Sequence, residues 1–355
     1  MINLDADQVY QQTDPAGMAG IIERFPEQAE EAWRIGSEAH VPADYADVDN
    51  IVIQGMGGSA IGGDLLRALL LDELKIPAMI VREYDLPIFS SERTLFIASS
   101  YSGNTEETLS GYATAKMKGC KILTVSSGGR MSSLAAADGY PLITIPGGIS
   151  PRAALGYSFF PLLAVLGRLG LIPDQTEGFR ETLRTLRNGV IRLGRSMPLA
   201  GNPAKDLALW LHGRCPLIYA AGAWPGVVAM RWKGQMNENA KNIAFYNILP
   251  ELNHNEIVGF EAPAALINEI RTVFLRTGDE NDKVGKRMEV TADVITRAGG
   301  KTREVKAEGR SSLCRMFSLI QFGDFVSLYL AMLNGIDPTP VKVIEMLKGE
   351  LAKLD

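Results

Sequence analysis

The sequence predicts an α/β protein made of two doubly wound parallel-sheet units, related by duplication, with helices on both faces and further helices at the C-terminus. Three observations carry this. Apolar runs of about five residues alternate with helix-like stretches in the first half. The same alternation recurs in the second half, as an internal repeat would give. In each half, strands open into loops of Gly and small hydroxyl residues that then start a helix.

Residues 1–49 read as an N-terminal helical segment packed on the first unit. Residues 50–172 form that unit, beginning with Asn50–Gln54, which leads into Gly55-Met56-Gly57-Gly58-Ser59 and a helix. Further strands are expected at Ala78–Arg82, Thr94–Ala98, Lys121–Val125 and Leu142–Ile145. An Arg-rich helical stretch, 173–202, connects to a second unit at 203–355. That unit takes strands at Pro216–Ala220, Ile243–Ile248, Thr272–Arg276 and Lys301–Lys306, with a long helix from Ala223 through Lys241.

The chain has 355 residues, a net charge of -5 and 46% hydrophobic residues, the composition of a globular protein with a sizeable core. An acidic balance excludes a nucleic-acid surface, which needs a basic face. The three cysteines, Cys120, Cys215 and Cys314, stand far apart in apolar surroundings and read as reduced residues of a cytoplasmic protein. With three equally scattered histidines, no metal site is expected, and no cofactor motif is complete. The polar N-terminus, Met1–Pro15, does not read as a signal peptide. Ala153–Gly167 is broken by Pro161 and too short for the roughly 20 apolar residues of a membrane span. Met316–Leu333 carries Gln321 and Asp324 and reads as a core helix, so no membrane partner is expected.

The most informative loop is Ser99-Ser100-Tyr101-Ser102-Gly103-Asn104-Thr105. It follows the apolar run Leu95–Ala98 and precedes a helix, so hydroxyls and backbone N–H groups converge as in an anion nest, with phosphate as the natural ligand. The plain alternative is a strand-to-helix turn with Thr105 as N-cap. Its second-half counterpart, Thr277-Gly278-Asp279-Glu280-Asn281, is acidic and would repel an anion.

Gly55–Ala60 resembles a variant dinucleotide fingerprint, but a second hydroxyl loop suits a small phosphorylated substrate better. Arg152, in Ser150-Pro151-Arg152, reads as a first-turn cation opposing a helix dipole; either an anion nearby explains it or it faces solvent. Glu238 and Lys241 make an exposed i,i+3 pair or a catalytic carboxylate with a neighbour. His254, among Asn253, Asn255, Glu251 and Glu256, is an acid/base candidate, whereas His40 and His212 suit surface or capping positions.

Together, Gly55-Met56-Gly57-Gly58-Ser59, Ser100–Thr108, Pro151-Arg152-Ala153, Glu238-Asn239-Ala240-Lys241 and Pro250–Glu256 resemble the bifunctional phosphoglucose/phosphomannose isomerase family, built of two sugar isomerase (SIS) domains. The resemblance runs in order from about Asn50 to the C-terminus. It implies that Ser59, Ser100, Ser102 and Thr105 bind the phosphate of a sugar phosphate, and that Gly57 and Gly58 let the backbone approach the sugar. Glu238 would carry the proton between C1 and C2. His254 would open the ring, arriving from the neighbouring subunit of a homodimer, and Arg152 would stabilise the cis-enediolate. The Ile-x-x-Leu-Lys pattern matches the family's C-terminal lysine to Lys348 rather than Lys342. Thr339 matches the threonine associated with mannose 6-phosphate. The implied activity is metal-independent interconversion of glucose 6-phosphate, and of mannose 6-phosphate, with fructose 6-phosphate. The alternatives are a non-catalytic SIS sensor of sugar phosphates and another SIS sugar-phosphate isomerase.

Overall fold

The computed structural model describes residues 2–261, 263–351 and 353. Among them, nine strands form two parallel sheets. The first contains β1 (Asn50–Gln54), β2 (Ala78–Val81), β3 (Thr94–Ser99), β4 (Lys121–Ser126) and β5 (Leu142–Thr144), in the order β2-β1-β3-β4-β5. The second contains β6 (Cys215–Ala221), β7 (Phe245–Leu249), β8 (Ile270–Arg276) and β9 (Lys301–Lys306), in the order β7-β6-β8-β9. Each expected strand is present, with ends shifted by at most two residues, and the repeat holds at the level of strand order. β3 is buried at all six positions, as a parallel strand covered on both faces must be. β9, at a sheet edge, buries only Val305, and its lysines guard the open edge.

The chain divides into two compact units. The first-sheet unit comprises Arg24–Arg187 and Gly309–Phe317; the second-sheet unit comprises Met1–Glu23, Asn188–Glu308 and Ser318–Asp355. The N-terminal segment expected to pack wholly on the first unit is therefore split at residue 23. Its earlier part is tied to the second-sheet unit by Lys205, a fully buried side chain whose ammonium donates to Asp5 and to the carbonyls of Arg195 and Met197 at 2.8–2.9 Å. Its later part stays with the first-sheet unit, where Phe25 and Phe160 stack on Phe317 at ring separations of 5.9 and 4.6 Å.

The helix Ser312–Leu333 has the length and apolarity of a membrane span, yet 94% of its most apolar window is buried inside the protein. Its polar positions explain why. Asp324 accepts from Arg231 at 2.8 and 3.0 Å and from Gln235 at 2.8 Å, and Ser327 accepts from Asn239 at 3.0 Å. These contacts hold the helix Ala223–Glu238, and Asn239 just beyond it, in one register, as a core helix of a folded domain.

Candidate active site

In a parallel sheet ordered 2-1-3-4-5, the crevice at the carboxyl ends of β1 and β3 is the topological switch point where ligands bind. The first-sheet unit places both expected loops there. Ser59, in the first turn of the helix Gly57–Leu69, accepts the backbone N–H of Tyr101 at 3.1 Å, joining the loop after β1 to the loop after β3. The Ser100 and Thr105 hydroxyls share a hydrogen bond of 2.8 Å, and Ser100 Oγ also accepts the Thr105 N–H at 3.4 Å. Thr105 occupies the N-cap position of Glu106–Met117, but its side chain makes no cap bond. Its hydroxyl turns to Ser100 instead, so the plain capping role is not the one it plays. Ser102 is exposed and accepts the Asn104 N–H at 3.3 Å.

A third loop, after β4, braces this nest. Ser127 donates to the Tyr101 carbonyl through both its N–H (3.0 Å) and its hydroxyl (2.6 Å), and Met131 N–H donates to the Gly103 carbonyl at 2.8 Å. Gly103 has φ of 72°, and a Cβ there would stand 1.8 Å from the Gly128 carbonyl oxygen, so only glycine permits this contact. The Tyr101 hydroxyl accepts the Ile149 N–H at 3.3 Å, extending the brace to the segment that carries Arg152.

Arg152 departs from expectation in two respects. It lies in a short 3₁₀ turn, Pro151–Ala153, separate from the helix Leu155–Arg168, and Ser150 makes no side-chain cap bond. The first-turn dipole argument therefore does not apply. Nor does Arg152 face solvent, for it is only 6% exposed. Gln28 pins the turn by donating to the Ala153 carbonyl at 3.0 Å and accepting the Gly156 N–H at 2.8 Å. Gly58 has a related role: a Cβ there would come within 2.6 Å of the Pro151 carbonyl oxygen, so its missing side chain admits the Arg152 turn against the Gly57–Leu69 helix.

The second-sheet unit repeats the switch point but fills it from within. After β8, Glu280 accepts the N–H groups of Thr277 (2.6 Å) and Gly278 (3.1 Å) and the Arg276 Nε–H (3.1 Å). Burial raises its pKa, but its own backbone N–H, that of Thr277 and the Arg276 guanidinium together outweigh burial and hold it below the usual carboxylate value. The acidic loop was expected to repel an anion; it supplies its own.

At the other sequence-predicted positions, Glu238 is half-buried at the end of the helix Ala223–Glu238 and lines a cavity of about 490 Å³ together with Lys241, Ile336, Pro340, Val341 and Lys342. Lys241 adopts a left-handed conformation, φ 49°, and donates to the carbonyls of Asp337 (2.8 Å) and Pro338 (3.1 Å). The next residue, Thr339, donates its N–H to Asp337 Oδ1 at 2.9 Å. Lys241 thus reaches the Thr339 segment, which a plain surface pair with Glu238 would not require. Lys342 opens the helix Lys342–Leu351; Lys348 lies within that helix, and its side chain is outside the described residues. His254 ends the 3₁₀ turn Glu251–His254 and is exposed. The asparagines beside it are tied down: Asn253 donates to Thr291 at 2.9 Å and Asn255 to Glu251 at 3.1 Å. Among the described residues, no group of three or more His, Cys, Asp or Glu side chains is placed to hold a metal.

The family model of a bacterial phospho-glucose isomerase C-terminal SIS domain matches residues 200–351. A protein of Caldicellulosiruptor bescii named bifunctional phosphoglucose/phosphomannose isomerase is 46% identical over 94% of this chain and 98% of its own. The chain belongs to that family. It is an isomerase built of SIS domains, and its substrates are small sugar phosphates. A protein of Sulfolobus acidocaldarius named D-glucosamine-6-phosphate 4-epimerase is 33% identical over 64% of this chain and 70% of its own. Among solved structures, a hypothetical protein of Thermus thermophilus superposes with a TM-score of 0.75 at 17% identity, covering 98% of this chain and 92% of that one, a likeness of fold alone.

Sequence reasoning missed Gln28, Ser127 and the carboxylate of Glu280 as parts of this architecture. Ser126-Ser127-Gly128-Gly129 after a strand was the available signal for the bracing loop. Gln28 had none, because its partners lie 125 and 128 residues away.

Proposed function

We propose that the chain interconverts glucose 6-phosphate, and also mannose 6-phosphate, with fructose 6-phosphate through a cis-enediolate and without a metal. The hydroxyls of Ser59, Ser100, Ser102 and Thr105 hold the phosphate. Gly57 and Gly58 let the backbone approach the sugar. With the phosphate fixed, Glu238 takes the proton from one carbon and returns it to the next, a step to which a positioned carboxylate contributes ~10²–10⁴-fold. Arg152 meets the negative charge that develops on the enediolate oxygens. The partner's His254 opens the ring in a homodimer, Lys348 contacts the substrate, and Thr339 leaves room for the C2 epimer. Three cysteines without disulfides suit a cytoplasmic enzyme.

The observation that carries catalysis over mere sensing is Glu238. A sensor needs the phosphate nest; it has no use for a half-buried carboxylate on a cavity wall beside two lysines. Neutral donors in the nest support the same reading, since they hold the phosphate without calling on the buried Arg152, which meets charge that appears during reaction.

The test is conversion of fructose 6-phosphate with chelator present, reading glucose 6-phosphate and mannose 6-phosphate separately. Formation of both is expected. Because one relative is named an epimerase, a parallel arm follows glucosamine 6-phosphate for inversion at C4; turnover there, with none on fructose 6-phosphate, would replace this reading.

A further inference from the structure

The His254 turn is anchored by a carboxylate that the proposed chemistry does not use. Tyr219 of β6 and Asn247 of β7 are direct register partners in the parallel pair, so their side chains share one face of the sheet. Both point to Glu256. The Tyr219 hydroxyl donates to one carboxylate oxygen and the Asn247 amide to the other. Tyr219 is completely buried and packs its ring edge-on against Phe274 at 5.6 Å, so the donor has little freedom to move. Burial, followed by the hydrogen bond to Glu256 and then its charge, pushes its pKa far up, and it remains a proton donor throughout the working range.

The clamp sits two residues beyond His254, and the Asn253–Thr291 bond sits one residue before it. The four-residue motif Asn253-His254-Asn255-Glu256 therefore divides its labour. Three of its side chains bind the protein, and that of His254 stands exposed on the turn they hold. We propose that Glu256, gripped by Tyr219 and Asn247, is a positioning residue that fixes the place and orientation of the His254 imidazole. This rests on the reading of His254 as the ring-opening group. A misplacement of the order of 1 Å at such a group is enough to cost up to ~10²-fold in rate.

The experiment compares kcat and KM for fructose 6-phosphate in Tyr219→Phe, Glu256→Ala and Glu256→Gln, each made in the wild-type chain and in His254→Ala. Tyr219→Phe and Glu256→Ala are expected to lower kcat by about tenfold with little change in KM, and Glu256→Gln to recover most of the loss. In the His254→Ala background the same changes should cost almost nothing, because the group they position is gone. Full additive losses in that background, or no loss in the wild-type chain, would overturn the proposal. The imidazole NMR signal of His254 is recorded in parallel: Glu256→Ala should broaden or move it, and an unmoved signal contradicts the clamp. This spectrum does not depend on turnover. Absence of isomerisation by the wild-type chain strikes the proposed activity, while the spectrum still decides the positioning role.

Discussion

The Ser59 hydroxyl accepts the Tyr101 backbone N–H at 3.1 Å, so a residue in the first turn of the helix after β1 sets the height of the loop after β3. On the proposed reading, phosphate affinity therefore depends on this bond as much as on hydroxyls aimed at the ligand. Ser59→Ala leaves that N–H without its partner, at a cost of ~1–3 kcal/mol if it stays dry. The expected outcome is a raised KM for the sugar phosphate with a smaller change in kcat, measured by initial rates. An unchanged KM would show that Ser59 neither binds phosphate nor holds the loop.

Ser102 and Thr105 offer a direct test of the nest. The Ser102→Ala, Thr105→Ala double variant should raise KM strongly, and inorganic phosphate should lose its power to inhibit to the same degree. Equal inhibition of variant and wild type would place the phosphate elsewhere.

Gly58 separates two effects that most substitutions mix. A Cβ there meets the Pro151 carbonyl oxygen at 2.6 Å, so Gly58→Ala must push the Arg152 turn away while the Ser100–Thr105 hydroxyl pair remains. The predicted result is a fall in kcat with inorganic phosphate binding retained. Loss of phosphate binding with normal kcat would reverse the assignment.

Glu280 predicts a pH dependence of stability. Its pKa is depressed in the folded state below the ordinary value of 4.5, so its contribution is fully present above that value and is lost as pH falls through the lower folded value. In thermal melts, the Tm difference between wild type and Glu280→Gln should therefore be steady near neutrality and shrink in acid. A difference that grows on acidification would contradict the internal-anion assignment.

Asp324 lies opposite Arg231 with side-chain exposures of 10% and 4%. Removing one partner of such a buried pair typically costs ~3–5 kcal/mol, because the other charge is left uncompensated. Asp324→Ala is expected to destabilise by about that amount in denaturant titrations, whereas replacing both partners by apolar residues of similar volume should recover most of the loss.

Much of this was legible in sequence because local signals suffice for it. Apolar runs such as Leu95–Ala98 declare a buried parallel strand, and a Ser/Gly/Thr loop between such a run and a helical stretch declares the strand-to-helix turn in which the Ser100 and Thr105 hydroxyls meet. What was not legible depends on distance along the chain or on side-chain direction. The burial of Arg152 is set with help from Gln28, 125 residues from Ala153, and the split of the N-terminal segment at residue 23 is set by Lys205 reaching back to Asp5. Glu280 is the instructive middle case. Its charge reads in sequence as hostile to an anion, but only geometry shows the carboxylate turned back onto the loop's own N–H groups.

The central claim is that Glu238 carries the proton between C1 and C2 of a bound sugar phosphate. Its most direct test is Glu238→Gln, assayed for turnover of fructose 6-phosphate and, by calorimetry, for binding of the same compound. The amide keeps the shape of the side chain and removes the base, so turnover should vanish while binding persists. Near-normal turnover in that variant would contradict the mechanism.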